Sequence, residues 1–156
     1  MRAKADIHVV DDERLAEAAA QLRMAIVRTA RRLRQEAAGE TSGLTPTSVA
    51  ALATIERHGP LTPSELADVE RVKRPSMTRT LGCLEDQGLV ERMPDPADGR
   101  SSLVSVNATG RERLRRLRRR KNAYLARRLR QLPEEDLATL ERAAAILDRM
   151  REGDAV

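Results

Sequence analysis

Between Asp95 and Gly110 the chain reads DPADGRSSLVSVNATG, and here helical spacing gives way to strict alternation. Val104 and Val106 fall on one face with polar residues between them, the period of a strand. The segment LVERM, Leu89 to Met93, precedes it, and the intervening turn packs two acids, a glycine and an arginine into six residues. Two short strands joined by such a turn make a hairpin. Nearly everything else reads as helix, so the expected fold class is mainly α with a small β-hairpin.

The helices announce themselves by spacing and by their ends. Leu15, Ala19, Leu22, Ile26, Ala30 and Leu33 recur at helical intervals and predict a long first helix from about Asp11 to Ala38, which the loop GETSG ends. LTPTSV at Leu44 and LTPSEL at Leu61 are two similar helix starts. In each a Thr caps free backbone N–H groups, and Pro takes the first helical position, where its missing N–H costs nothing. Glu65 completes a capping box with Thr62, and Leu61 with Leu66 can staple that start. His58-Gly59-Pro60 reads as a stop, with Gly59 expected in a left-handed cap.

A short helix from Pro63 ends near Val69 to Arg71, and a second begins in KRPSMTRTLGCLEDQG. Met77, Leu81 and Leu84 share one face of the second, Gly88 caps its end, and Ser76, Thr78 and Arg79 come early on it. Two short helices so arranged read as helix-turn-helix. After the hairpin, Asn107 caps a long helix with an apolar stripe of Leu114, Leu117, Tyr124, Leu125, Leu129 and Leu132. Pro133 opens the last helix, whose acids Glu134, Glu135 and Asp136 sit at its positive end. Leu137, Leu140, Ala144 and Leu147 form a narrow seam along it.

Helix-turn-helix followed by a hairpin is a winged helix, and the arrangement suits double-stranded DNA. A recognition helix fills the major groove and cannot also reach the flanking minor groove, whereas a hairpin beside it can. An arginine at the hairpin tip, Arg100, suits the concentrated negative potential of a narrow minor groove. Gly99 allows a positive φ, and Asp98 braces the turn or the guanidinium.

These residues resemble the MarR (multiple antibiotic resistance regulator) family of transcription factors. Asp95, Pro96, Asp98, Arg100, Val106 and Gly110 match its wing signature, with Asn107 where Thr is usual. The likeness extends upstream through LTPSELADVERVKRPSMTRTLGCLEDQGLVER and over the helix order on both sides. Two departures stand out: Lys73 where many members have a capping Ser, and Arg71 where a Gly-like turn residue is common. Both add positive charge and make base preference less transferable. The resemblance implies one chain, 1–156, with a winged helix-turn-helix lobe at 44–107 and helices at 7–38 and 108–150 that interlock in an obligate homodimer. It implies a repressor on a short palindrome, released by a small phenolic or otherwise amphipathic ligand, or in some branches by cysteine oxidation. The residues expected at DNA are Lys73, Arg74, Pro75, Ser76, Thr78, Arg79, Asp98, Gly99 and Arg100. The apolar seams of the first and last helices agree with a dimer, since a lone winged domain has nothing to cover them.

Composition narrows the remaining functions. Lys and Arg number 29 against 24 acids, a modest bias toward a polyanion. The run from Arg111 to Arg130 holds eleven basic residues. Most are expected to be solvated or paired with acids, with Arg111 and Arg113 nearest the wing and best placed to touch a DNA backbone. Cys83 is the one cysteine, so no internal disulfide forms and a reducing compartment, the cytoplasm, is expected. Cys83 falls on the helical face of Ser76 and Arg79, partly exposed, and reads as incidental rather than as a redox sensor. His8 and His58 are too scattered for a metal site. No catalytic triad order or phosphate-cradling loop is present, so neither an enzyme nor a cofactor is expected. No stretch approaches the length of a membrane span. With one Tyr and no Phe or Trp, a ligand pocket between the dimer helices and the DNA lobe is expected to be lined by Leu, Met, Ala and Arg. Two other readings compete with a specific regulator. One is an architectural or weakly specific nucleic-acid binder that uses the basic helix, and the other is an interaction module that has lost DNA binding.

Overall fold

Helix α1 runs from Asp12 to Glu36, a residue or two inside the span predicted from its apolar spacing. The computed structural model describes residues 11–41, 43–98 and 101–152; His8, Gly99 and Arg100, and residues 7–10 of the predicted first segment, lie outside them. The start of the GETSG loop is not open coil. A single turn of tight 3-10 helix covers Ala38–Thr41, a common way for a helix end to satisfy its last carbonyls. Ala37, between the two, is fully buried and anchors α1 to the core, although no residue of α1 itself is buried.

Helices α2 (Pro46–His58) and α3 (Pro63–Val69) start as their sequences dictate. Thr45 Oγ1 accepts from the Ser48 N–H at 3.1 Å. Thr62 Oγ1 accepts from the Glu65 N–H at 3.2 Å, and the Glu65 carboxylate accepts from the Thr62 N–H at 2.8 Å, the reciprocal capping box. Those bonds, the backbone one first, hold the Glu65 carboxyl below its ordinary value. Gly59 corrects the expected left-handed stop: its φ is −73° and ψ 171°, an extended conformation. Its role is space, because a Cβ there would lie 2.5 Å from the Ile55 carbonyl oxygen.

α4 (Arg74–Asp86) buries Met77, Leu81 and Leu84 completely, the face its spacing marked out. α3 and α4 end in the same motif. After α3, the Arg71 N–H reaches the Asp68 carbonyl at 3.1 Å and the Val72 N–H the Ala67 carbonyl at 3.0 Å. After α4, the Gly88 N–H reaches Glu85 at 2.8 Å and the Leu89 N–H reaches Leu84 at 3.0 Å. This pairing needs a left-handed residue at its centre. Gly88 supplies it with φ 64°, and Arg71 supplies it with φ 52°.

Strands β1 (Val90–Pro94) and β2 (Ser102–Val106) pair antiparallel, with Val90 opposite Val106 and Arg92 opposite Val104. Val104 and Val106 are both buried. Leu61 adds a bridge on the other side of β2, exchanging both backbone bonds with Val104 at 3.2 and 2.8 Å. β2 is thus held from two sides, which the sequence did not reveal.

α5 (Ala108–Leu129) is capped by Asn107, whose Oδ1 accepts from the Gly110 N–H at 3.0 Å while its Nδ2 donates to the Gly88 carbonyl at 2.9 Å. One side chain thus joins the end of α4 to the start of α5. Gly110 is buried where α5 meets the hairpin, and a Cβ there would stand 2.2 Å from the Leu89 carbonyl oxygen. Leu114 and Leu117 complete the core; Leu132, expected in the stripe, lies past the helix and is exposed. α6 (Glu134–Glu152) follows Pro133 directly, so Pro133 precedes the helix rather than opening it. Leu15 at 56% and Met150 at 60% exposure typify the apolar faces that α1 and α6 leave bare in the single chain.

Candidate nucleic-acid interface

The face of α4 opposite Met77, Leu81 and Leu84 carries the predicted residues. Lys73, Arg74, Pro75, Ser76, Thr78 and Arg79 are all exposed. Lys73 is the N-cap residue and makes no side-chain cap bond, unlike Thr45, Thr62 and Asn107 at the starts of α2, α3 and α5. An uncapped helix start flanked by two cations is unfavourable on its own, because the positive end of the dipole meets positive charge. The same arrangement is favourable once an anion approaches, since dipole and side chains then attract it together. Thr78 is less available than its neighbours as a donor: its hydroxyl already donates to the Arg74 carbonyl at 3.1 Å.

Cation pairing divides the surface. Among the described residues Arg71, Lys73, Arg74 and Arg79 have no side-chain hydrogen bond or ion pair. The basic run on α5 is different. Arg115 and Arg119 lie 2.8 Å from the Glu112 carboxylate and Arg116 at 4.0 Å, which holds the Glu112 carboxyl below its ordinary value, the Arg115 bond first. Arg118 pairs with Glu56 of α2. Arg111, expected near a DNA backbone, donates through Nη1 to the Val106 carbonyl at 2.6 Å. Many of the arginines that looked most suited to a polyanion by their number are therefore engaged inside the protein.

The hairpin is fixed against α4. Arg92 of β1 donates to the Glu85 carboxylate on α4 and, through Nη1, to Ser102 Oγ of β2 at 3.1 Å. A wing so clamped keeps a set position relative to the C-terminal end of α4. The sequence reading missed this clamp, because the two residues lie seven apart across a helix–strand boundary where no single period applies. The turn is closed by the Asp95 N–H to the Ser101 carbonyl at 3.2 Å and the Ser101 N–H to the Asp98 carbonyl at 2.8 Å. Within the turn Asp95 Oδ1 also accepts from the Ala97 N–H at 2.9 Å. The roles expected of Gly99 and Arg100 lie outside the described residues.

Three further features lie apart from that surface. A cleft of about 450 Å³ opens where α1, α2 and α5 meet. Its walls are apolar, with Leu33, Ala37, Leu44, Val49 and Ala53 among them, and Arg34 and Lys121 supply two cations. No Met lines it, a departure from the expected Leu, Met, Ala and Arg. Cys83 is half-buried, in keeping with the expected partial exposure: Gln87 Nε2 reaches both its Sγ at 3.3 Å and the Gly43 carbonyl at 2.7 Å, so Gly43 and Gln87 partly cover it. Tyr124, the lone aromatic residue, joins α1 to α5 under the guanidinium groups of Arg32 at 5.5 Å and Arg128 at 5.7 Å.

Among the described residues no helix is long and apolar enough to cross a membrane, and no three of His, Cys, Asp and Glu gather as metal ligands. The MarR family profile matches residues 44–102, from the start of α2 into β2. An uncharacterised HTH-type transcriptional regulator of Mycobacterium bovis is 39% identical over 132 residues, 85% of this chain and 91% of that one. The crystal structure of a transcriptional regulator from Pseudomonas aeruginosa superposes with a TM-score of 0.79 at 32% identity, covering 91% of this chain and 98% of that one. A point variant of MepR from S. aureus, solved bound to an oligodeoxyribonucleotide, superposes with a TM-score of 0.64 at 20% identity over 87% of this chain and 96% of that one.

Proposed function

The chain belongs to the MarR family of winged helix-turn-helix transcriptional regulators, and from that premise we propose that this DNA-binding regulator acts in the cytoplasm as a homodimeric, sequence-specific repressor. One observation carries the reading: unpaired cations stand at the uncapped start of α4, and the wing is clamped to the same helix at its other end, through Glu85. In this reading α4 enters the major groove. Arg79 reads a base edge there, while Lys73, Arg74, Pro75 and Ser76 line the backbone. Thr78 serves as an acceptor or packs against sugar. Asp98, Gly99 and Arg100 form the wing tip at the flanking minor groove. The oligodeoxyribonucleotide held by the S. aureus relative supports DNA as the partner. The lobe spans 44–107, and the helices at 7–38 and 108–150 form the dimer region; the bare apolar faces of α1 and α6 support that division. A dimer sets two wings on a palindrome and, by covering a promoter, represses.

The cleft beside α1 supports a small amphipathic effector bearing an acid group. Its volume lies within the ordinary range for small ligands, its walls are apolar, and its cations are Arg34 and Lys121. Such a ligand acts by shifting the lobes from the spacing that fits DNA.

The decisive experiment selects a palindromic duplex from random sequence with the purified protein, then compares its affinity with a random duplex of equal length. A specific regulator favours the palindrome by roughly a thousandfold or more. Near equality points instead to an architectural binder, and no binding to an interaction module. Salicylate and octanoate serve as probes of release, with Arg34→Ala and Lys121→Ala expected to blunt it. Sedimentation of a folded monomer at micromolar concentration would remove the dimer.

A further inference from the structure

We infer that Arg71, in the turn between α3 and α4, is itself a DNA contact, its guanidinium taking a phosphate oxygen beside the recognition helix. This rests on the DNA-binding reading above and extends the contact set beyond the residues assigned there. The starting point is its backbone. Arg71 holds φ 52°, a left-handed conformation in which an L side chain crowds the following carbonyl. The two hydrogen bonds that end α3 come from backbone N–H groups of Arg71 and Val72, and glycine at that place would make them without strain. Gly88 does so in the matching motif after α4.

The two hydrogen bonds and the packing of Val72 on the core hold the turn in place, but among the described residues the Arg71 side chain gains no contact in return. The side chain is exposed and unpaired among the described residues. The nearby carboxylate of Glu70 is engaged by the Thr54 hydroxyl of α2. Backbone strain at a residue whose side chain gains no internal contact points to a role with a ligand. Position names the ligand. Two peptide units separate Arg71 from Lys73, so their Cα atoms lie at most about 7.6 Å apart. Arg71 therefore extends the row of unpaired cations formed by Lys73 and Arg74 at the start of α4. Its planar fork of donors suits a phosphate better than a base edge reached from a turn.

Arg71→Gly separates the two roles, because it relieves strain and removes the charge together. Thermal melts of the full chain are expected to show Tm raised by about 2–4 °C. Salt titrations on the selected palindrome and on random duplex are expected to show binding weakened about threefold to tenfold on both, by the same factor. The slope of log affinity against log salt should fall by about one per subunit. Arg71→Lys keeps the charge and should keep the slope. A variant that melts higher yet binds with wild-type affinity and slope overturns the inference. So does a loss confined to the palindrome, which marks base reading instead, and so does a lowered Tm, which removes the strain. Wild-type protein that binds neither duplex defeats the proposed function itself, an outcome distinct from wild-type binding that Arg71→Gly leaves unchanged.

Discussion

Arg71 and Gly88 hold the same place in the same helix-ending motif, one on each side of the recognition helix α4. Their φ values are 52° and 64°. The two turns thus set where α4 begins and where the chain leaves it for the wing. Only one of them uses the residue that backbone sterics favour.

Gly88→Ala is expected to destabilise the protein by about 1 kcal/mol, lowering Tm by about 2–4 °C. The added methyl meets no atom within 4 Å, so the cost is conformational alone. Thermal denaturation of the variant checks it. A melt at the wild-type temperature would show that the turn after α4 shifts at no cost.

Gly110→Ala should cost more, about 3 kcal/mol, for a different reason. Gly110 lies within a helix and has no unusual φ, but its Cβ would stand 2.2 Å from the Leu89 carbonyl oxygen and 2.7 Å from Val106 Cγ1. A backbone oxygen in the hairpin cannot move aside as a flexible side chain can. The order of the two glycine variants in a denaturant titration is the test: Gly110→Ala must unfold first.

The contrast shows what the sequence could and could not disclose. Period and capping chemistry are local, so Thr45, Thr62 with Glu65, Asn107, and the buried face of Met77, Leu81 and Leu84 were legible from spacing alone. So was the hairpin, because alternation around Val104 and Val106 has no helical equivalent. What escaped depends on groups distant in sequence that the fold brings together. The Leu61 bridge to Val104, the Arg92 clamp on Glu85, and the cover of Gly43 and Gln87 over Cys83 have no periodic signature. Gly59 misled because glycine serves two purposes: a left-handed φ and bare space against a neighbouring carbonyl. The basic run on α5 agrees with its expected pairing, since Glu112 and Glu56 engage four of its arginines, but the particular partners had no signature. Charge count is visible in sequence, but whether an arginine already has a partner, as Arg118 has in Glu56, is not.

Acid should weaken the start of α3. The Glu65 carboxyl is held below its ordinary value of 4.5, chiefly by the bond it accepts from the Thr62 N–H. A carboxyl depressed in the folded state contributes stability that is complete above the unfolded pKa and is lost as pH falls through the folded one. The Tm difference between wild type and Glu65→Ala is therefore expected to be full near neutral pH and to shrink as pH drops below about 4. A difference that stays constant down to pH 2 would show that the carboxylate charge has no part in the cap.

The hairpin arginines carry opposite expectations. Arg92 is committed through Nε to Glu85 and through Nη1 to Ser102, so its main task is to position the wing. Arg92→Gln is expected to weaken operator binding by loosening the wing, with the salt slope nearly unchanged, since no ion is released by a contact that DNA never made. In the proposed reading Arg100 reaches the flank of the site from the wing while Arg79 enters the major groove. Arg79→Ala should cost about 1–3 kcal/mol on the palindrome and relax the preference at one base pair. Arg100→Ala should leave that preference intact, weaken binding most on sites with A·T-rich flanks, and lower the salt slope by about one per subunit. Salt titrations of the three variants on one palindrome, with A·T-rich and G·C-rich flanks, separate the roles. If Arg100→Ala binds as wild type at every salt concentration, the wing tip makes no DNA contact, and the clamp between Arg92 and Glu85 serves the stability of the lobe alone.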